Sequence, residues 1–172
     1  MTHDQLAKRI ADVALLRGSF TLRSGRTSDY YLDKYLFSTQ PDILRELGKC
    51  FAKRIEEQTT RLAGAELGGI PLVAAASLAT GLPCLFIRNQ KKDYGTSQQL
   101  EGKLEANDRV VLLEDVCTTG GQILEAAKVI EATGAQVTQI IGTIDREEGA
   151  RENIEAAGYT FQALFTKTDL GV

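Results

Sequence analysis

The spacing of apolar residues changes from segment to segment along the chain, and each spacing predicts an element. Leu6, Ile10, Val13 and Leu16 recur at helical intervals, so Asp4 to Leu16 reads as a packing helix capped by Thr2 or Asp4 and stopped by Gly18. Phe20 and Leu22 alternate, Ser24-Gly25 makes a turn, and Tyr30 to Leu32 is a second short apolar run; together they predict a small hairpin-like flap. From Pro41, which suits a first helical turn, to Glu57, the residues Ile43, Leu44, Leu47, Phe51 and Ile55 line one side of a helix. Leu62 to Gly64 is a short strand, Leu72 to Thr80 an alanine-rich helix, and Leu82 to Ile87 a strand. Arg88 to Gly102 is polar and has no period. Connections beyond about 12 residues without structure are usually functional lids or linkers. Val110 to Leu113 form a strand buried on both faces, followed by a helix carrying Ile123, Leu124, Ala126, Ala127, Val129 and Ile130. Val137 to Ile144 is a strand, Glu152 to Ala157 a helix stopped by Gly158, and Tyr159 to Phe165 a last strand. Strands that alternate with helices predict an α/β fold, with a central parallel sheet flanked by helices on both faces.

Chemistry concentrates where the apolar strand from Val110 meets its helix. Glu114 and Asp115 come first, then Val116, Cys117, Thr118, Thr119, Gly120, Gly121 and Gln122. Free amides from Thr119 to Gln122, the threonine hydroxyls and the helix dipole suit a phosphate, and glycine lets the backbone approach it. The acids suit sugar hydroxyls or help to hold a magnesium ion. The bland alternative is a buried strand ending in an acidic turn. Gly64-x-x-x-Gly68-Gly69 does not satisfy the dinucleotide fingerprint, and these glycines are also compatible with plain strand-to-helix packing.

Composition narrows the class. The 172 residues, 43% hydrophobic and 25% charged, describe an ordinary globular chain, and about 150 residues per domain makes 1–172 a single domain. A net charge of −3 and a pI near 5.3 argue against general nucleic-acid binding. No run approaches the ~18 apolar residues of a membrane span and the start lacks a secretion signal, so a cytoplasmic protein is expected. Cys50, Cys84 and Cys117 read as reduced thiols without a metal pattern. His3, the only histidine, falls in a segment expected to fray, which removes histidine-based catalysis.

The acidic pair and its Thr-Thr-Gly-Gly turn resemble the phosphoribosyl pyrophosphate (PRPP) motif of type I phosphoribosyltransferases. Phe20-Thr-Leu-Arg-Ser-Gly25 followed by Ser28 and Tyr30-Tyr31 is similar to the amino-terminal segment of orotate phosphoribosyltransferases. Arg88, Lys92, Asp93, Tyr94, Gly95 and Leu100-Glu101-Gly102 are similar to that family's mobile catalytic loop. Two positions depart from it: Asn89, where a second basic residue is usual and Lys91 stands nearby, and Gly68, where many relatives carry lysine.

The resemblance implies the type I phosphoribosyltransferase fold with residues 1–40 contributing a small hood. It implies transfer of phosphoribosyl from PRPP to orotate with Mg2+, and a homodimer whose mobile loop serves the partner's site. Arg88, Lys92 and Asp115 are the implied catalytic residues. PRPP would meet Arg88, Lys91, Lys92, Tyr94 and the run Glu114, Asp115, Val116, Cys117, Thr118, Thr119, Gly120, Gly121 and Gln122. Orotate would meet Thr118, Arg146, Arg23, Tyr30 and Tyr31, with magnesium held mainly through PRPP and no firm protein ligand. An ordinary ion pair between Arg146 and Glu147 is the alternative reading of that arginine. Transfer to another base and a non-enzymatic PRPP sensor are the competing functions, the second disfavoured by the lack of any DNA-binding segment.

Overall fold

The structure is a computed structural model that describes residues 1–21, 25, 27–90 and 99–172. Helix α1 spans His3–Ala14, and Thr2 and Gln5 close it with reciprocal side-chain to backbone hydrogen bonds. His3 is not frayed: its Nε2 lies 2.8 Å from the Leu164 carbonyl oxygen and its ring stacks on Phe165. Strands β1 (Leu15–Thr21) and β2 (Thr27–Leu32) pair antiparallel as the small flap that the alternation predicts.

A short helix, α2 (Lys34–Ser38), follows; it has too few residues to show a period. Asp33 caps it by accepting from the Tyr35 amide, and Phe37 anchors it, fully buried. Helix α3 runs Pro41–Ala52, ending earlier than the apolar spacing predicts, and Ile55 packs on the same core from the turn beyond it. The remaining elements build the main sheet: β3 (Arg61–Ala65), α4 (Gly69–Thr80), β4 (Cys84–Ile87), β5 (Leu100–Glu101), β6 (Arg109–Cys117), α5 (Gly121–Glu131), β7 (Gln136–Asp145), α6 (Ala150–Ala156) and β8 (Thr160–Thr166). A single 3-10 turn at Thr168–Leu170 ends the chain.

The strand order is β5-β4-β3-β6-β7-β8, parallel throughout except for β5, which pairs antiparallel with β4 at one edge. That edge pair brings the two ends of the polar Arg88–Gly102 stretch together. Side chains alternate across the sheet, so each face carries its own core. Leu62, Val111, Leu113 and Ile141 pack under α1 to α4 on one face; Ala63, Leu112 and Ile140 pack under α5 and α6 on the other. Burial on both faces is why β6 reads as an unbroken apolar run.

Candidate active site

Strands β3 and β6 are neighbours, yet the chain leaves β3 through α4 toward β4 and leaves β6 through α5 toward β7. Diverging connections open a crevice at the carboxyl ends of the two strands. A cleft of about 850 Å³ occupies this place, lined by the whole run Glu114 to Ile123 together with Thr21, Tyr31, Lys34, Arg146 and Glu148.

The acids lie inside β6, not in the turn after it, because the strand continues to Cys117. Glu114 is 7% and Asp115 1% exposed. Their own backbone holds them: the Asp115 amide donates to Glu114 Oε1 at 3.0 Å and the Val116 amide to Asp115 Oδ1 at 2.6 Å. Burial, reinforced by the charge of Asp115, pushes Glu114 up to about 8. Glu114 is therefore largely protonated at neutral pH. Burial also holds the Cys117 thiol well above its usual range, so it stays protonated inside the motif.

The turn beyond the acids is built as an anion cradle. Gly120 has φ +80, a left-handed conformation that glycine adopts without strain, and no side chain caps α5. The first amides of the helix therefore face the cleft without an internal partner, and the helix dipole adds partial positive charge there. Opposite, Gly64 and Gly69 bring β3 and the start of α4 into backbone contact, since a Cβ at Gly64 would lie 2.5 Å from the Gly69 carbonyl oxygen. Gly68 is tighter still. A Cβ there would overlap Asp115 Oδ2, so the carboxylate occupies the space that a side chain at this position would need.

Lys34, carried by α2, places its Nζ 2.8 Å from Asp115 Oδ2. Burial opposes its charge, but contact with Asp115 and the nearby charge of Glu114 keep its pKa above the ordinary lysine value. Arg146 follows β7; its amide donates to the Cys117 carbonyl at 2.9 Å and its guanidinium pairs with Glu148 at 2.9 Å. The partner is Glu148 rather than Glu147, because Glu147 takes a positive φ and its carboxylate accepts from Thr168.

Tyr31 lines the cleft beside Phe20, whose ring centroid is 5.7 Å away, whereas Tyr30 occupies the opposite face of β2. Arg88 stands at the end of β4, its amide donating to the Gln99 carbonyl and its guanidinium 3.9 Å from Glu101; it does not line the cleft. Asn89 joins the two loops: its amide donates to Glu66 Oε1 at 2.6 Å and its carboxamide oxygen accepts from Gln122 at 3.3 Å. Arg23, Lys91, Lys92 and Tyr94 lie outside the described residues. Lys34 and Glu66 are the site residues that the sequence patterns did not single out, and no local signal marks either one.

Among the described residues no three His, Cys, Asp or Glu side chains converge as a metal cage. One buried carboxylate facing a phosphate cradle suits magnesium instead, an ion usually held by one or two carboxylates plus substrate oxygens.

The raised pKa of Glu114 has a consequence for stability. A carboxyl whose folded pKa lies above its usual 4.5 stabilises the fold below that value and loses this contribution as pH rises toward about 8. Glu114→Gln, which does not titrate, should gain stability relative to the unchanged protein between pH 5 and pH 9, by at least about 1.4 kcal/mol, the equivalent of one pKa unit. A difference in melting temperature that stays flat with pH would show that Glu114 is ionised throughout.

A family model described as the phosphoribosyl transferase domain matches residues 37–161. Curated relatives named orotate phosphoribosyltransferase include one from Natronomonas pharaonis, 42% identical over 99% of this chain and 98% of its own length. Another, from Pyrococcus abyssi, is 43% identical over 97% and 94%. Among solved structures, Mycobacterium tuberculosis orotate phosphoribosyltransferase in complex with Fe(III) dicitrate superposes with a TM-score of 0.89 at 27% identity, covering 99% of both chains. The same protein in complex with PRPP superposes at 0.83, again covering 99% of both.

Proposed function

The chain belongs to the phosphoribosyl transferase domain family, and from that premise we infer the reaction that its cleft supports. It is an orotate phosphoribosyltransferase of pyrimidine biosynthesis, transferring 5-phosphoribosyl from PRPP to orotate to give orotidine 5′-monophosphate and diphosphate. One observation carries the assignment of parts: a phosphate cradle, a buried acidic pair and an arginine share one cleft at the switch between β3 and β6.

The amides from Thr119 to Gln122 hold the 5′-phosphate, and Asp115 with Glu114 accepts the ribose hydroxyls. Arg146 forks onto the orotate carboxylate and Thr118 hydrogen-bonds beside it, while Tyr31 covers the ring from the hood formed by residues 1–40. The orotate ring nitrogen then bonds to ribose C1 as the bond from C1 to the diphosphate oxygen breaks, the electron pair leaving with diphosphate. Positive charge grows on the ribose and negative charge on the leaving group, so placed charges lower the barrier. Arg88 and Lys92, with Lys91 and Tyr94, serve the diphosphate from the segment after β4. Magnesium, when bound mainly through the substrate's own oxygens, would add to the neutralisation of the leaving diphosphate.

Two copies assemble, with the segment after β4 reaching the partner's site. The support is α4, which is apolar all round and leaves Leu78 in its last turn 90% exposed, with Leu67 just before its start 63% exposed. No helix among the described residues is long and apolar enough to cross a membrane, and the cytoplasm suits the reaction.

The purified protein mixed with orotate, PRPP and magnesium should consume orotate, followed by its absorbance, only while PRPP is present. Loss with uracil or a purine in place of orotate would reassign the base. PRPP binding without turnover would make the protein a sensor, and elution at the mass of one chain would overturn the dimer.

A further inference from the structure

Two positively charged residues line the described part of the cleft, Lys34 and Arg146, and Arg146 is already paired with Glu148. The substrate assigned above carries phosphate at both ends. A cleft that takes such a polyanion needs cations near its floor, and Lys34 is the one beside the acidic pair.

Its position is set by the fold. Asp33 is fixed by its amide, which donates to the Ala14 carbonyl at 2.9 Å, and Phe37 sinks into the core three residues beyond Lys34. The backbone is thus anchored while the ammonium, 34% exposed as a side chain, reaches over Tyr35 to Asp115. Gly68 completes the arrangement: with no side chain there, the Asp115 carboxylate turns toward β3 and meets Lys34 on the cleft floor. A structural ion pair would explain the contact, but it would not require the ammonium to stand at the cleft wall.

We propose that Lys34 is a substrate-binding residue of this reaction, its ammonium passing from Asp115 to the diphosphate of PRPP when the ribose hydroxyls take the carboxylate. An ammonium has three donors, so it can keep one on Asp115 and direct the others at phosphate oxygens. The flexible four-carbon stem allows the shift without moving α2. This inference rests on the phosphoribosyltransferase reading.

The test compares Lys34→Met and Lys34→Arg with the unchanged protein, using calorimetry with three probes in magnesium: PRPP, inorganic diphosphate and ribose 5-phosphate. Lys34→Met should weaken PRPP and diphosphate by at least about tenfold, about 1.4 kcal/mol, and ribose 5-phosphate by less than about threefold. Lys34→Arg should keep PRPP within about threefold, because the charge remains. Equal weakening of all three probes, or a lowered melting temperature with PRPP affinity unchanged, would reduce Lys34 to a structural partner of Asp115. If the unchanged protein binds PRPP and Lys34→Met binds it as well, only the Lys34 role falls. If the unchanged protein binds no PRPP, the reaction assigned to the cleft falls with it.

Discussion

Arg146→Ala should raise the KM for orotate at least about 100-fold, about 2.7 kcal/mol, while the KM for PRPP changes by less than about threefold. Its backbone is tied to the Cys117 carbonyl of the neighbouring strand and its guanidinium is held by Glu148, so on the proposed reading it would meet the orotate carboxylate already positioned. Removing it would leave the orotate carboxylate without a cation in a cleft also lined by Glu148, Glu114 and Asp115. Uracil, which lacks the carboxylate, supplies the control: the variant should lose most of its preference for orotate over uracil. An orotate KM that does not move would assign the carboxylate to another residue, and Arg146 would be only the partner of Glu148.

Gly64→Ala should lower the melting temperature by roughly 6–12 °C, corresponding to about 3 kcal/mol for a chain of this size. The added methyl would meet the Gly69 carbonyl oxygen at 2.5 Å, the Gly69 carbonyl carbon at 2.9 Å and Val73 Cγ1 at 2.9 Å. Two of these contacts are backbone, which cannot rotate aside, so β3 and α4 must separate. That separation would also carry Gly68 away from Asp115, and PRPP affinity should fall together with stability. Gly81→Ala is the comparison, because its left-handed φ of +76 costs only about 1–2 kcal/mol and nothing lies within 4 Å. A Gly64→Ala protein as stable as the original would mean that the strand and helix have slack at this crossing.

The glycines after β3 illustrate how the site was legible and how it was not. Their placement between a strand and a helix marked the loop, and close strand-to-helix packing was one reading of them. The tertiary structure shows that Gly64 and Gly69 pack β3 against α4 and that Gly68 leaves room for the Asp115 carboxylate. The acids of β6 were found from their neighbours, but their burial was not, because adjacent carboxylates look like the start of a polar turn. Only the pairing of β6 with β7 as far as Cys117 and Asp145 shows that the strand runs past them. Arg146 was located by its strand end, yet its partner turned out to be Glu148, since the conformation at Glu147 depends on contacts with the 3-10 turn.

The order of the main helices and strands other than α2 and β5, the two-sided core of β6, the Thr-Thr-Gly-Gly turn and the arginine after β7 were determined by the sequence alone. Each is a matter of spacing within one element, where residues two, three or four apart meet by geometry. The tertiary structure decided what distant segments do to each other: the antiparallel edge strand β5, the docking of His3 against Phe165, and the meeting of Lys34, Gly68 and Asp115. No periodicity records these contacts, because they arise only after sheet order and helix packing have brought separate stretches of chain together. The chemistry of the cleft depends on them, since burial raises the pKa of Glu114 while the Lys34 ammonium pairs with Asp115 beside it.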